Sequence, residues 1–228
     1  GRVGVEVKQF LLPADAAQDD LLKVIAEVNA DDAIHGCLLF RPLPKQFDDR
    51  TVRAALAPEK DIDGITDGSL AGVFTNTDLG YAPCTAQACL EILKYYSVPL
   101  SGKRAVVVGR SLVVGKPAAM MLDRENATVT LCNSRTQNLP ALCREADVVV
   151  VAMGKMGAVG ADCLRKGQTV VDVGIHVNEE GKLCGDVKFA EAEPVVDAIT
   201  PVPGGVGTVT TSVLVGHVVQ AAAKKAGL

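Results

Sequence analysis

Apolar positions along the chain keep two different rhythms. In residues 1–97 they come in short bursts, some alternating and some at helical spacing. A long stretch rich in Pro, Asp, Gly and Thr interrupts them. From residue 98 onward, near-continuous β-branched runs return roughly every 20 residues. The first half therefore predicts a strand over 3–10 (Val3, Val5, Val7 alternating), a helix over 17–29 and a strand over 34–40. A short helix over 48–56 follows, then a loop through 57–84. Residues 85–96 carry Ala88, Leu90, Ile92 and Leu93 at helical spacing, with Thr85 as a cap. Residues 97–102 form the boundary.

In the second half, apolar runs at 105–108, 127–131, 148–151, 169–173 and, more weakly, 198–200 alternate with helix-like segments. Such spacing predicts βαβ units and a parallel sheet covered on both faces. Right-handed crossovers make it a doubly wound domain. A last helix spans 208–223, with lysines at its negative end. The pattern thus gives an α/β fold class: a doubly wound parallel sheet preceded by a smaller half of mixed strands and helices. Upstream sequence is expected too, because the alternation is already under way at Gly1.

The run VVVGRSLVVGKP stands where the first strand of the sheet gives way to a helix. A turn there lies at the carboxyl end of a parallel strand, where doubly wound sheets bind ligands. Gly109 permits a tight turn and Gly115 close helix–sheet packing. Ser111 replaces the middle glycine of G-x-G-x-x-G and brings a hydroxyl to a phosphate. The helix start adds free N–H groups and a positive dipole. After the second strand, Asn133-Ser134-Arg135-Thr136 has no acid to accept a ribose 2′-hydroxyl. Arg110, Ser134 and Arg135 suit a 2′-phosphate instead, so NADP is expected over NAD. A further cluster, PVPGGVG, fixes a rigid path through Pro203, Gly204, Gly205 and Gly207. It reads as a contact surface for a flat ligand, an interdomain hinge, or both.

Composition narrows the partners. With 48% hydrophobic and 22% charged residues the chain is ordinary for a globular protein. A net charge of −4 and 4% aromatics without Trp give no case for nucleic acid or an anionic membrane. No uninterrupted apolar run reaches membrane-spanning length. Seven cysteines, none in C-x-x-C, read as reduced core thiols of a cytoplasmic protein, with no metal site. His35, His176 and His217 read as structural.

On the substrate side, Asp61 and Asp63 flank Ile62 in KDIDG. In an extended segment their carboxylates share a face and accept parallel N–H bonds from an aminopyrimidine-like ring. A solvated turn with Asp capping the following residues is the reading that physics alone favours.

GRSLVVGKP, TPVPGGVGTVT, the DVGI run at 172–175 and KDIDG together resemble the methylenetetrahydrofolate dehydrogenase/cyclohydrolase family. The resemblance extends over essentially the whole chain. It implies a catalytic folate domain at 1–97, an NADP-binding Rossmann domain at 98–208, and a helix at 209–228 returning to the first. It further implies an active site in the cleft and a homodimer. Asp63 then grips the pterin ring, and Gly109, Arg110, Ser111, Ser134, Arg135, Ile175 and Thr210 match cofactor-side positions. Where the family reads V-Q-L-P-L-P this chain has LFRPLP, so Phe40 replaces Gln and Pro42 is kept. The family's Tyr-x-x-x-Lys motif belongs ahead of the region where this chain begins. Hydride transfer is mainly positioning, whereas hydrolysis of the methenyl product needs an activated water. The reading is a dehydrogenase with cyclohydrolase weakened or absent. The alternatives are an NADP-binding regulatory protein or inactive paralogue, and another Rossmann reductase.

Overall fold

The computed structural model describes residues 3–228. Its centre is a five-stranded parallel sheet: β1 (Arg104–Val108), β2 (Thr128–Cys132), β3 (Val148–Val151), β4 (Thr169–Asp172) and β7 (Ala198–Ile199). The strand order is β2-β1-β3-β4-β7. The strands form here because valine runs satisfy both faces at once. Val107, Val148, Val150 and Val171 enter one core, and Val106, Val108, Val149, Val151 and Val170 the other. Each buried valine contributes roughly 1.5–3 kcal/mol through removal from water.

Helices α4 (Cys84–Tyr95), α5 (Gly115–Arg124) and α8 (Val206–Ala226) cover the first face. The second is covered by α6 (Leu139–Glu145), α7 (Phe189–Ala192) and the loops around Val159 and Val187. A two-stranded antiparallel hairpin, β5 (His176–Val177) and β6 (Leu183–Cys184), leaves the end of β4.

The first half differs from expectation. Residues 3–10 and 34–40 run irregularly or extended without forming strands. Alternation predicts a strand only if a neighbour completes the ladder. Here Val3 and Val7 are exposed, and one isolated bridge joins Cys37 to Asp61. The helices α1 (Gln18–Ala30) and α2 (Asp49–Ala55) instead build a small core of Leu21, Ile25, Val52 and Leu56. The supposed loop holds a further helix, α3 (Asp67–Thr75), opened by Thr66, whose hydroxyl accepts the Ser69 N–H at 3.1 Å. Thr85 is not a cap, because α4 already starts at Cys84, with the Pro83 carbonyl accepting from Gln87 N.

Helix α8 is long and apolar enough to cross a membrane, which the interrupted run of Thr, Ser and Gly had hidden. In the fold it lies along α4, burying Val213, His217 and Ala221. His217 is the pin. Its Nδ1 is 2.8 Å from the Ile62 carbonyl oxygen, and its Nε2 is 2.9 Å from the Gln87 side-chain oxygen on α4. Burial pushes its pKa below the usual histidine value, with the Ile62 carbonyl opposing. The unfolded chain therefore takes up the proton first as pH falls. This histidine's contribution is complete above about pH 6.5 and is lost on acidification through its lower folded value. Urea unfolding at pH 7.5 and 5.5 is expected to show a smaller stability loss in His217→Gln than in the wild type. Equal losses would remove the linkage.

Candidate functional site

The site begins with the register of the sheet. Val108 of β1 lies opposite Cys132 of β2, so both strands end at one level. Gly109–Ser111 and Asn133–Arg135 therefore emerge side by side at the carboxyl edge. The switch point lies between β1 and β3, where the strand order reverses.

Gly109 has φ +129°, and a Cβ there would stand 2.1 Å from the Ala152 carbonyl oxygen after β3. Gly115 is buried beneath the turn. A Cβ on it would meet the Gly109 carbonyl oxygen at 2.0 Å, so it shapes the turn and does not line the opening. The Ser111 hydroxyl accepts from Val114 N at 3.1 Å and remains exposed. Arg110, Ser134 and Arg135 are exposed, and neither guanidinium is paired with an acid among the described residues. The Asn133 side chain accepts the Arg135 N–H at 3.0 Å and so sets that turn, a role the sequence reading had not given it. Two free cations beside an open helix start and a hydroxyl fit a phosphorylated dinucleotide. Ile175, 67% exposed, follows β4 on the same edge.

Across the cleft, Asp61 and Asp63 part company. The segment is a turn following a 3-10 helix at Pro58–Lys60, not an extended strand. Asp61 is fully buried and accepts from Ile65 N (3.0 Å), Thr66 N (2.7 Å) and Ser69 Oγ (2.6 Å). With its oxygens engaged inside the chain, Asp61 holds the turn and cannot bind substrate as the sequence reading had it. Asp63 points into a cavity of about 110 Å3 shared with Arg41, Gly64, Pro83, Leu112 and Val113. Burial raises its pKa, while the Cys84 thiol and the Arg41 guanidinium stabilise the charged form. Leu112 and Val113 belong to the turn after β1. The carboxylate and the dinucleotide turn thus face one opening.

Arg41 is the residue that sequence reasoning missed. It pairs with Asp49, which Arg53 also holds at 3.1 Å, and Arg53 reaches Asp67 at 2.9 Å. The neighbouring Phe40 is 85% exposed, and Pro42, also exposed, follows a cis Arg41–Pro42 bond.

In PVPGGVG, Val202–Pro203 is cis, Pro203 and Gly204 are exposed, and Gly204 has φ +97°. Gly205 is buried, and a Cβ on it would lie 2.4 Å from the Pro201 carbonyl oxygen. It therefore sets the path of the turn, while Pro203 and Gly204 face solvent. Gly207 is exposed in the first turn of α8. Half-buried Thr210 donates its hydroxyl to the Val206 carbonyl at 3.1 Å. A larger hollow, about 310 Å3, opens past Tyr81, His217 and Gln220. Neither Asp63 nor the β1 turn lines it.

A parallel sheet with a glycine turn at its switch point, facing a half-buried carboxylate across a cleft, defines a dinucleotide-dependent α/β enzyme. Comparison with known proteins narrows the class. Residues 83–226 match the tetrahydrofolate dehydrogenase/cyclohydrolase NAD(P)-binding domain, and residues 1–63 match the catalytic domain of the same enzymes. The bifunctional protein FolD of Carboxydothermus hydrogenoformans is 53% identical over 221 residues, covering 96% of this chain and 77% of that protein. The crystal structure of FolD from Campylobacter jejuni superposes with a TM-score of 0.91 at 37% identity, covering 93% of this chain and 75% of that one. The Trypanosoma brucei enzyme, solved with NADP cofactor and inhibitor, gives 0.85 at 35%, covering 92% and 74%. The chain belongs to the tetrahydrofolate dehydrogenase/cyclohydrolase family.

Proposed function

We propose that this enzyme oxidises 5,10-methylenetetrahydrofolate to 5,10-methenyltetrahydrofolate by hydride transfer to NADP, with cyclohydrolase activity weakened or absent. One observation carries the reading. Asp63 and the Leu112–Val113 end of the dinucleotide turn line the same cavity, so a ring gripped by Asp63 lies against the cofactor. The cofactor, when bound, supplies the hydride acceptor. Arg110, Ser111, Ser134 and Arg135 hold its phosphates, and Asp63 holds the pterin N–H groups. Asp63 is the substrate-gripping residue in this reading, and Phe40, Pro42, Pro203 and Gly204 are further folate contacts by the family resemblance. Ile175, Gly207 and Thr210 stand on the cofactor side.

The chain divides in this reading into a folate part at 1–97 and a cofactor part at 98–208, with α8 tied back to the former. Support comes from the contact of α8 with α4 and with the Ile62 carbonyl. The seven free thiols suit a reducing cytoplasm. A homodimer is proposed on the family resemblance.

Phe40 stands where the family carries a glutamine, and its phenyl ring offers no group to manage a proton. Assaying methenyltetrahydrofolate hydrolysis against NADP-dependent dehydrogenation is expected to find hydrolysis well below the oxidation rate. Matching rates would overturn the weakened-cyclohydrolase reading, and no NADPH formation would overturn the whole.

For the cofactor, Arg135→Ala is expected to weaken NADP by about 1–3 kcal/mol, the range for a hydrogen bond to a charged group, and to leave NAD nearly unchanged. Calorimetric titration with both dinucleotides reads the difference. An unchanged preference refutes the phosphate role.

A further inference from the structure

The β3 loop and the β5–β6 hairpin meet at a carboxylate that the reaction itself does not use. Asp186 is fully buried. Its Oδ2 accepts from Met153 N at 2.6 Å and Gly154 N at 2.9 Å, and its Oδ1 from Lys155 N at 2.8 Å. The fourth partner is His176 Nε2, 2.7 Å from Oδ1. Three successive backbone N–H groups converging on one anion form a nest, a motif otherwise suited to phosphate. Here the chain fills its own nest. The amides after β3 are therefore closed to the cofactor, and its phosphates fall to the turn after β1.

A second buried carboxylate locks the first. Asp172, at the end of β4, accepts from Gly174 N (3.0 Å), Asp186 N (2.9 Å) and Val187 N (2.9 Å). The backbone is cut to fit both groups. A Cβ on Gly185 would stand 1.8 Å from Asp172 Oδ2, and one on Gly174 would stand 2.3 Å from Asp186 N. The residue before the nest, Ala152, presents the carbonyl against which Gly109 turns. The residue before His176 is the exposed Ile175. A displacement of Asp186 therefore reaches the turn after β1 on one side and Ile175 on the other.

We propose that Asp186 and His176 are positioning residues for the dinucleotide site, binding the β3 loop and the Ile175 segment into one rigid wall of the crevice between β1 and β3. This rests on the dinucleotide reading of that crevice.

The test compares His176→Leu, which removes the donor to Asp186, with His176→Gln, which keeps an N–H in reach. Expected for His176→Leu is a roughly tenfold weaker NADP dissociation constant by titration calorimetry, the scale of one lost hydrogen bond to a charged group. KM for NADP rises in parallel, with kcat and the folate KM held. Hydrogen exchange at the amides of 153–155 quickens without cofactor present. His176→Gln restores affinity and protection to within about twofold of wild type, as a retained donor requires. Wild-type affinity in His176→Leu overturns the proposal, as does an equal loss in His176→Gln, which would mark simple packing. Faster exchange without weaker binding assigns the pair to stability alone and also overturns it. A wild-type protein that fails to bind NADP defeats the underlying dinucleotide reading, which the variants by themselves cannot do. Asp186→Asn is the more severe change and serves only if its unfolding midpoint stays near wild type.

Discussion

Asp63→Asn is expected to lower kcat/KM for the folate substrate by about 10²-fold or more while leaving NADP affinity near wild type. Two parallel N–H bonds to a carboxylate are each worth about 1.5–3 kcal/mol, and an amide keeps one acceptor while turning a donor against the ring. The fold should survive the change. Asp63 is held above the usual carboxylate range mainly by burial, so its charge is a cost at neutral pH that Asn does not carry. As pH falls through that raised value, the carboxyl takes up a proton and the stability penalty disappears, but so does the grip on N–H donors. Wild-type kcat/KM should therefore fall on an acid limb set above an ordinary aspartate, and Asp63→Asn should lack that limb. Steady-state kinetics across pH 4–8, paired with thermal unfolding, decide the matter. Near-normal turnover in Asp63→Asn would take the pterin contact away from this residue.

Gly109→Ala should be the most damaging single methyl on the cofactor side. The backbone there has φ +129°, and the new Cβ would lie 2.1 Å from the Ala152 carbonyl oxygen. Forcing a side chain into such a conformation costs of order 1–3 kcal/mol before the contact is relieved. The carbonyl cannot retreat freely, because the next three residues are tied to Asp186. The turn must yield instead, moving Arg110 and Ser111 from the positions proposed to hold the cofactor's phosphates. NADP affinity is expected to fall more than tenfold, together with a lower melting temperature. Unaltered NADP titration in a folded Gly109→Ala protein would show that the turn does not bind the dinucleotide.

The sheet was legible because its signal is redundant. Val148–Val151 is buried on both faces, so every residue in the run announces it. The first half carried alternation without partners, and Val3 and Val7 show that pattern alone does not make a ladder. Helix α3 escaped notice since Gly68, Gly72 and Thr75 weaken its propensity, and its only clear mark is the Thr66 cap. Two-residue strands such as β5 and β6 are too short to leave a period.

At the candidate site, the placement of Gly109, Arg110 and Arg135 at the carboxyl edge of the sheet could be read from strand position. Asp61 and Asp63 could not be told apart, because the distinction is which way a turn faces. Arg41 was overshadowed by the motif change at Phe40, although Arg41, not Phe40, lines the cavity.

The contact made by His217 has a consequence for recombining members of this family. It joins the last helix to α4 and to the carbonyl one residue before Asp63, 155 positions earlier in the chain. A chimera with a single crossover near residue 100 would take α4 from one parent and α8 from the other. Its mismatch would fall beside Asp63, far from the splice. Exchanging the cofactor half cleanly calls for two cuts, with α8 inherited along with the N-terminal segment it pins.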